Sequence, residues 1–149
     1  MSLMIDKDAE EMGRITTQLT ITNRADQIRA EDGAISPDAI RAVTLDDVLV
    51  GTGATTLCLP ADVIARLGLT LKEEVTVATA TTIETARLFE DARLALLDRE
   101  ITVECLEVPE GRQPLLGVIP LEALGVELDL QDQKIHFLPK RGAKTYYTA

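Results

Sequence analysis

The stretch VLVGTGATTLCLP, residues 48–60, carries the strongest fold signal in this chain of 149 residues. Its apolar start, residues 48–50, is typical of an interior strand. The small residues at 51–56 indicate a turn, because glycine and threonine permit a tight change of direction after a strand. Residues 57–59 resume the apolar pattern. The stretch therefore predicts two short strands joined by a glycine-containing loop.

A short helix is predicted directly after this stretch, at residues 60–68. Pro60 suits the first turn, and Asp62 lies near the positive end of the helix dipole. Residues 63, 64 and 67 share one apolar face, and Gly68 is a typical stop.

The rest of the chain reads mainly as strands. Residues 15–22 alternate apolar and polar side chains, as a half-buried strand does. Residues 23–26 and 29–38 contain turn and loop residues, and residues 121–124 form a second short helix closed by Gly125. Further strands are predicted at 40–43, 75–78, 83–88, 93–97, 100–108, 126–130 and 134–138. This pattern favours an all-β fold, mainly β with one or two short helices, closed into a small β-barrel-like domain.

Composition and charge exclude several functions. The formal net charge of −10 argues against a nucleic-acid partner, because binding phosphates requires clustered lysine and arginine. The basic cluster at residues 140–144 fits a solvated tail. No stretch reaches the roughly 18 consecutive apolar residues of a membrane span, and the acidic start lacks the pattern of a signal peptide. We expect no membrane association and a cytoplasmic location.

The cysteine and histidine content predicts neither a metal site nor a cofactor. Cys58 and Cys105 are far apart in sequence, form no CxxC pair and lie in apolar runs, so we expect buried free thiols. His136 is the single histidine and is expected at the surface.

Three features in order resemble the retropepsin-like aspartic proteases, including their bacterial single-domain members. They are the strand followed by x-Thr-Gly-Ala at residues 48–54, the Leu-x-Leu-Pro segment and helix at 57–69, and the triplet Leu115-Leu116-Gly117 before a short helix. The resemblance covers residues 14–139. It implies a protease-like domain there, with a flexible N-terminal segment at 1–13 and a C-terminal tail at 140–149.

The resemblance also implies a homodimer that acts on a peptide or protein substrate. In the family each chain supplies one aspartate to a shared site, and the apolar-Gly triplet packs beneath the loop. Thr52 and Gly53 then match the catalytic loop. Substrate-binding positions would be Ala54 and Thr55, with Ala78, Thr79, Ala80 and Thr81 in the region of the hairpin, or flap, that closes over substrate.

This sequence departs from the family pattern at the catalytic position, because Gly51 takes the place of the catalytic aspartate. Two carboxylates about 3 Å apart share a proton, and glycine has no group that could do so. Asp46 and Asp47 lie roughly 13–17 Å upstream on an extended run, and Asp62 belongs to the helix. We therefore expect no peptide hydrolysis by the family mechanism, and enzyme activity stays uncertain.

Two pairs of alternatives remain at this stage. The chain is either an aspartic endopeptidase (a hydrolase) inactivated at residue 51 or a natural pseudoenzyme that binds peptides or serves as a structural dimer. Residues 77–83 lack the glycine usual at a flap tip, so they form either a working flap or an ordinary hairpin. A phosphate-binding loop at 51–56 is disfavoured, because no lysine follows and a βαβ unit is absent.

Overall fold

The computed structural model describes residues 14–139, so the predicted N-terminal segment and C-terminal tail lie outside the described residues. The described part is mainly β, with three short α-helices where one or two were predicted. The helices are α1 (Arg24–Glu31), α2 (Ala61–Leu67) and α3 (Val118–Leu124), and a 3₁₀ turn spans Pro37–Ala39. The strands are β1 (Ile15–Asn23), β2 (Ala42–Val50), β3 (Leu57–Pro60), β4 (Thr70–Ala78), β5 (Ile83–Leu96), β6 (Arg99–Val108), β7 (Leu115–Leu116), β8 (Val126–Asp129) and β9 (Lys134–Phe137).

Seven strands form one mixed sheet that returns on itself. The strand order is β1-β2-β7-β3-β6-β5-β4, and β1 also pairs with β5. The first six strands in this order therefore form a ring, with β4 at its outer edge. The predicted C-terminal hairpin is confirmed as the separate pair β8–β9.

The core inside this ring is aliphatic, as the composition predicts. The alternation in β1 is confirmed, since Ile15, Leu19 and Ile21 are all buried. Leucines from the other strands and α2 fill the rest, and several are completely covered: Leu57, Leu59, Leu67, Leu94 and Leu116. The helix predicted after residue 60 is also confirmed, and it ends at Gly68 in the left-handed conformation.

The prediction of a turn and loop over residues 23–38 was wrong for its first half, where α1 forms. Asn23 caps this helix by accepting a hydrogen bond from the backbone N–H of Asp26 at 3.0 Å. Asp26 is 2% exposed and is held by the backbone and guanidinium of Arg41. Because α1 buries this carboxylate rather than an apolar stripe, hydrophobic periodicity does not reveal it.

Several other predicted boundaries also differ: β4 begins at Thr70 rather than at 75, α3 begins at Val118 rather than at 121, and two predicted pairs of strands are each continuous. The strand predicted at 40–43 and the run at 48–50 are one strand, β2, which pairs with β1 from Ala42 to Val50. The strands predicted at 83–88 and 93–97 are likewise one strand, β5, which stays continuous through a bulge near Asp91. Polar residues continue both strands because backbone pairing with a neighbour does not require an apolar side chain.

No helix among residues 14–139 is long and apolar enough to cross a membrane.

Candidate functional site

The loop at residues 51–56, here called the glycine loop, connects β2 to β3 at the edge of β7. β7 runs parallel to β2, with Val50 opposite Leu116, and antiparallel to β3, with Leu57 opposite Leu116. The Leu115-Leu116-Gly117 triplet therefore packs against the glycine loop, the arrangement that the resemblance implies.

Backbone hydrogen bonds fix the glycine loop to the start of α3. The N–H groups of Gly117, Val118 and Ile119 donate to the carbonyls of Thr56, Ala54 and Thr55, at 3.1, 2.9 and 2.9 Å. The first N–H groups of a helix have no partner within the helix, so this loop satisfies them. At its other end, the Gly51 N–H donates to the carbonyl of Leu116 at 3.1 Å. The loop is thus held from both ends.

Glycine is required at residue 117 but not at residue 51. A Cβ built on Gly117 would lie 2.5 Å from the Ala54 carbonyl oxygen and 2.6 Å from that of Thr56. A Cβ on Gly51 or Gly53 meets nothing within 4 Å, and neither residue has a positive φ. Position 51 can therefore take a Cβ without a clash and without a left-handed backbone conformation. Gly53 lies in the turn of the loop, but its φ is outside the left-handed region, so an L-residue can adopt its backbone conformation.

The neighbouring carboxylates have other places in the fold. Asp46 accepts a hydrogen bond from Gln18 Nε2 at 2.7 Å across β1 and β2. Asp62 lies in the first turn of α2, as predicted. Thr52 is exposed, and its hydroxyl makes no hydrogen bond among the described residues. The glycine loop thus presents the hydroxyls of Thr52 and Thr55 but no acid of its own.

A groove of about 600 Å³ lies beside Gly51 and Thr52. Its other walls come from α3, β8 and the residue after it, which sequence reasoning did not assign to the site. The C-terminal hairpin pattern was visible in the sequence, but nothing there indicated that it lies beside residue 51. The lining residues are Val50, Gly51, Thr52, Val118, Leu121, Glu122, Val126, Glu127, Leu128 and Leu130.

The predicted flap residues form the exposed tip of the β4–β5 hairpin. The hydroxyl of Thr79 accepts the N–H of Thr82 at 3.0 Å and organises the turn. Residues 78–81 do not line the groove beside Gly51. Thr55 instead meets the base of this hairpin, in a second groove of about 520 Å³ that also includes Lys72 and Leu88. The structure thus brings Thr55 to the hairpin base rather than to its tip.

The cysteines and the histidine, which could in principle bind metal or act as nucleophiles, have structural surroundings that do not suit those roles. Cys58 and Cys105 are buried free thiols, as predicted, and burial raises the pKa of both. His136 is exposed and pairs with Asp129 at 2.9 Å. Within residues 14–139, no group of three or more histidine, cysteine or acidic side chains could hold a metal ion.

Comparison of the chain with models of known protein families and with curated proteins gives no match.

Proposed function

We propose that this chain is a non-cleaving homologue of the retropepsin-like aspartic proteases, a closed β half-domain that forms a homodimer around two glycine loops. Gly51 takes the place of the acid in each loop. The chain would still bind peptides but would not hydrolyse them. A family member that cleaves peptides would need a carboxylate at the position of Gly51.

The observation that carries this proposal is the contrast between Gly51 and Gly117. Gly117 has to be glycine, because a Cβ at this position would lie 2.5–2.6 Å from two carbonyl oxygens of the glycine loop. Gly51 has open space and an ordinary φ, on a backbone fixed by hydrogen bonds at both ends of the loop. A residue that is glycine without a structural need is consistent with the loss of a functional side chain.

Restoring that side chain supplies the missing chemistry. Two-fold symmetry would place the carboxylate of Gly51→Asp in both subunits at once. Two carboxylates in close contact share one proton, so one activates water while the other protonates the peptide carbonyl. Thr52, with its free hydroxyl, is available to hydrogen-bond the loop of the second subunit.

The experiment compares Gly51→Asp with a matched control, Gly53→Asp, which adds the same group at an equally open position two residues away. Both proteins are checked for folding by circular dichroism and incubated with an unstructured peptide library between about pH 4 and 7. We expect cleavage by Gly51→Asp alone. Cleavage by the unaltered chain or equally by Gly53→Asp would contradict the assignment of residue 51, as would a folded, dimeric Gly51→Asp that does not cleave.

A further inference from the structure

The second groove, where Thr55 meets the base of the hairpin, has an apolar surface open to solvent. Ile119, the second residue of α3, is 55% exposed although its backbone is fixed to the glycine loop. Leu88 and Val103, from β5 and β6, are half-buried and complete the apolar wall. The hydroxyl of Thr55 makes no hydrogen bond within the described part of the chain. The groove thus combines an apolar wall with a free hydroxyl.

The charged side chains around this groove carry a net negative charge. It is lined by the carboxylates of Glu90, Asp91 and Glu104 and by one ammonium, that of Lys72. Lys72 Nζ lies 2.9 Å from Glu104. This hydrogen bond and the Coulombic attraction of Glu104, Glu73 and Glu90 raise the pKa of Lys72. The positive charge of Lys72 is therefore neutralised by a carboxylate of the same groove, which leaves two negative charges in excess.

Asp91 is fixed in its position by the backbone. It occupies the bulge in β5 with a φ of 65°, and it forms no ion pair among the described residues. Aspartate and asparagine adopt this left-handed conformation more readily than other residues with a side chain. A test variant can thus remove the charge of Asp91 while keeping the backbone shape.

We propose that this groove binds an extended peptide by an apolar side chain that has a lysine or arginine beside it. The apolar wall removes the first side chain from water, and the two excess carboxylates attract the second. The inference rests on the proposed function and deepens it, since it names the class of peptide that would bind beside the glycine loop.

The first measurement uses the unaltered chain and short fluorescent peptides that carry one central residue and its flanks. The peptides have leucine flanked by arginine, leucine flanked by glutamate, or serine flanked by arginine. Fluorescence anisotropy should show the tightest binding for the leucine–arginine peptide. Added salt should weaken this binding, because the contribution of the exposed carboxylates is screened.

The second measurement removes the two features separately. Glu90→Gln with Asp91→Asn should weaken binding of the leucine–arginine peptide by about threefold to tenfold, whereas the matched pair Asp38→Asn with Glu110→Gln should leave it nearly unchanged. Ile119→Ser should weaken binding of both leucine peptides. Ile28→Ser, which removes an isoleucine of similar exposure on α1, should not.

Equal binding of the arginine- and glutamate-flanked peptides, or no binding of either, would overturn this proposal. A loss of dimer in Ile119→Ser with unchanged peptide binding would also overturn it, by showing that a second copy occupies the groove. The proposed function has a separate readout. Cleavage by Gly51→Asp without preference for basic flanks would refute the groove assignment alone, whereas selective binding with an inactive Gly51→Asp would refute the protease assignment alone.

Discussion

Gly117 shows how one residue can govern the geometry of the candidate site. Replacing it with alanine would push a methyl group into the carbonyls of Ala54 and Thr56. We expect Gly117→Ala to lower the free energy of unfolding by about 1–3 kcal/mol, the usual range for overpacking. Urea denaturation measures this effect.

Gly53→Ala is the matched control for this prediction, because its new methyl group meets nothing within 4 Å. We expect its stability to stay within about 0.5 kcal/mol of the unaltered chain or to rise slightly. Equal destabilisation by the two substitutions would refute the close contact between Gly117 and the glycine loop.

At the residue scale, the sequence identifies the glycine loop but not its surroundings. Gly51 and Thr52 can be picked out because an apolar strand leads directly into them. The contributions of Ile119, Glu122 and Glu127 depend on how the chain returns to this loop more than 60 residues later. Local pattern carries no information about that return.

At the scale of single elements, local chemistry predicts α2 and fails for α1. α2 has an acidic first turn, a buried apolar face and a glycine stop, and all three lie where the sequence places them. α1 has a cap at Asn23 but no apolar face. Its anchor is the pair between Asp26 and Arg41, which are 15 residues apart and meet only in the folded chain. A helix held by polar contacts to a buried carboxylate has no hydrophobic period.

This anchor makes the stability of the chain depend on pH in a defined direction. The side-chain hydrogen bonds from Arg41 are the main cause that lowers the pKa of Asp26 from 3.8 to about 2. A carboxyl whose pKa is lower in the folded state stabilises the protein above its unfolded pKa. The stabilisation is therefore complete above about pH 4 and is lost as the pH falls towards 2.

Asp26→Asn tests this prediction. We expect it to cost about 1–3 kcal/mol at neutral pH, because the substitution removes the charge of the acceptor to which Arg41 donates. The difference in unfolding free energy between this variant and the unaltered chain should shrink as the pH is lowered from about 4 to 2. Urea denaturation at several pH values measures it, and a difference that does not depend on pH would show that the Asp26 charge contributes nothing.

At the scale of the whole molecule, the mainly β character and the expectation of a closed sheet follow from composition and strand pattern, but the strand pairings that form the ring do not. Its closure needs β1 to pair with both β2 and β5, and it needs a two-residue strand, β7, to fit between β2 and β3. A strand of two residues has no period that a sequence could display. Pairings between distant segments are set by the packing of the complete core.

The dimer is also a property of the whole molecule, and it is the central claim of the proposed function. If two glycine loops meet at a two-fold axis, residue 51 of one chain lies beside residue 51 of its partner. Gly51→Cys would then place two thiols next to each other, and the open space at this position admits the side chain. Cys58 and Cys105 should stay unreactive, because burial raises the pKa of both thiols.

The most direct measurement is therefore the cross-linking of Gly51→Cys by a short thiol-specific reagent, followed by mass analysis. Asp38→Cys, at an exposed position outside the glycine loop, and the unaltered chain serve as controls. We predict a covalent dimer for Gly51→Cys and monomers for both controls. A Gly51→Cys protein that stays monomeric at high micromolar concentration, or that cross-links no better than Asp38→Cys, would contradict the two-fold site.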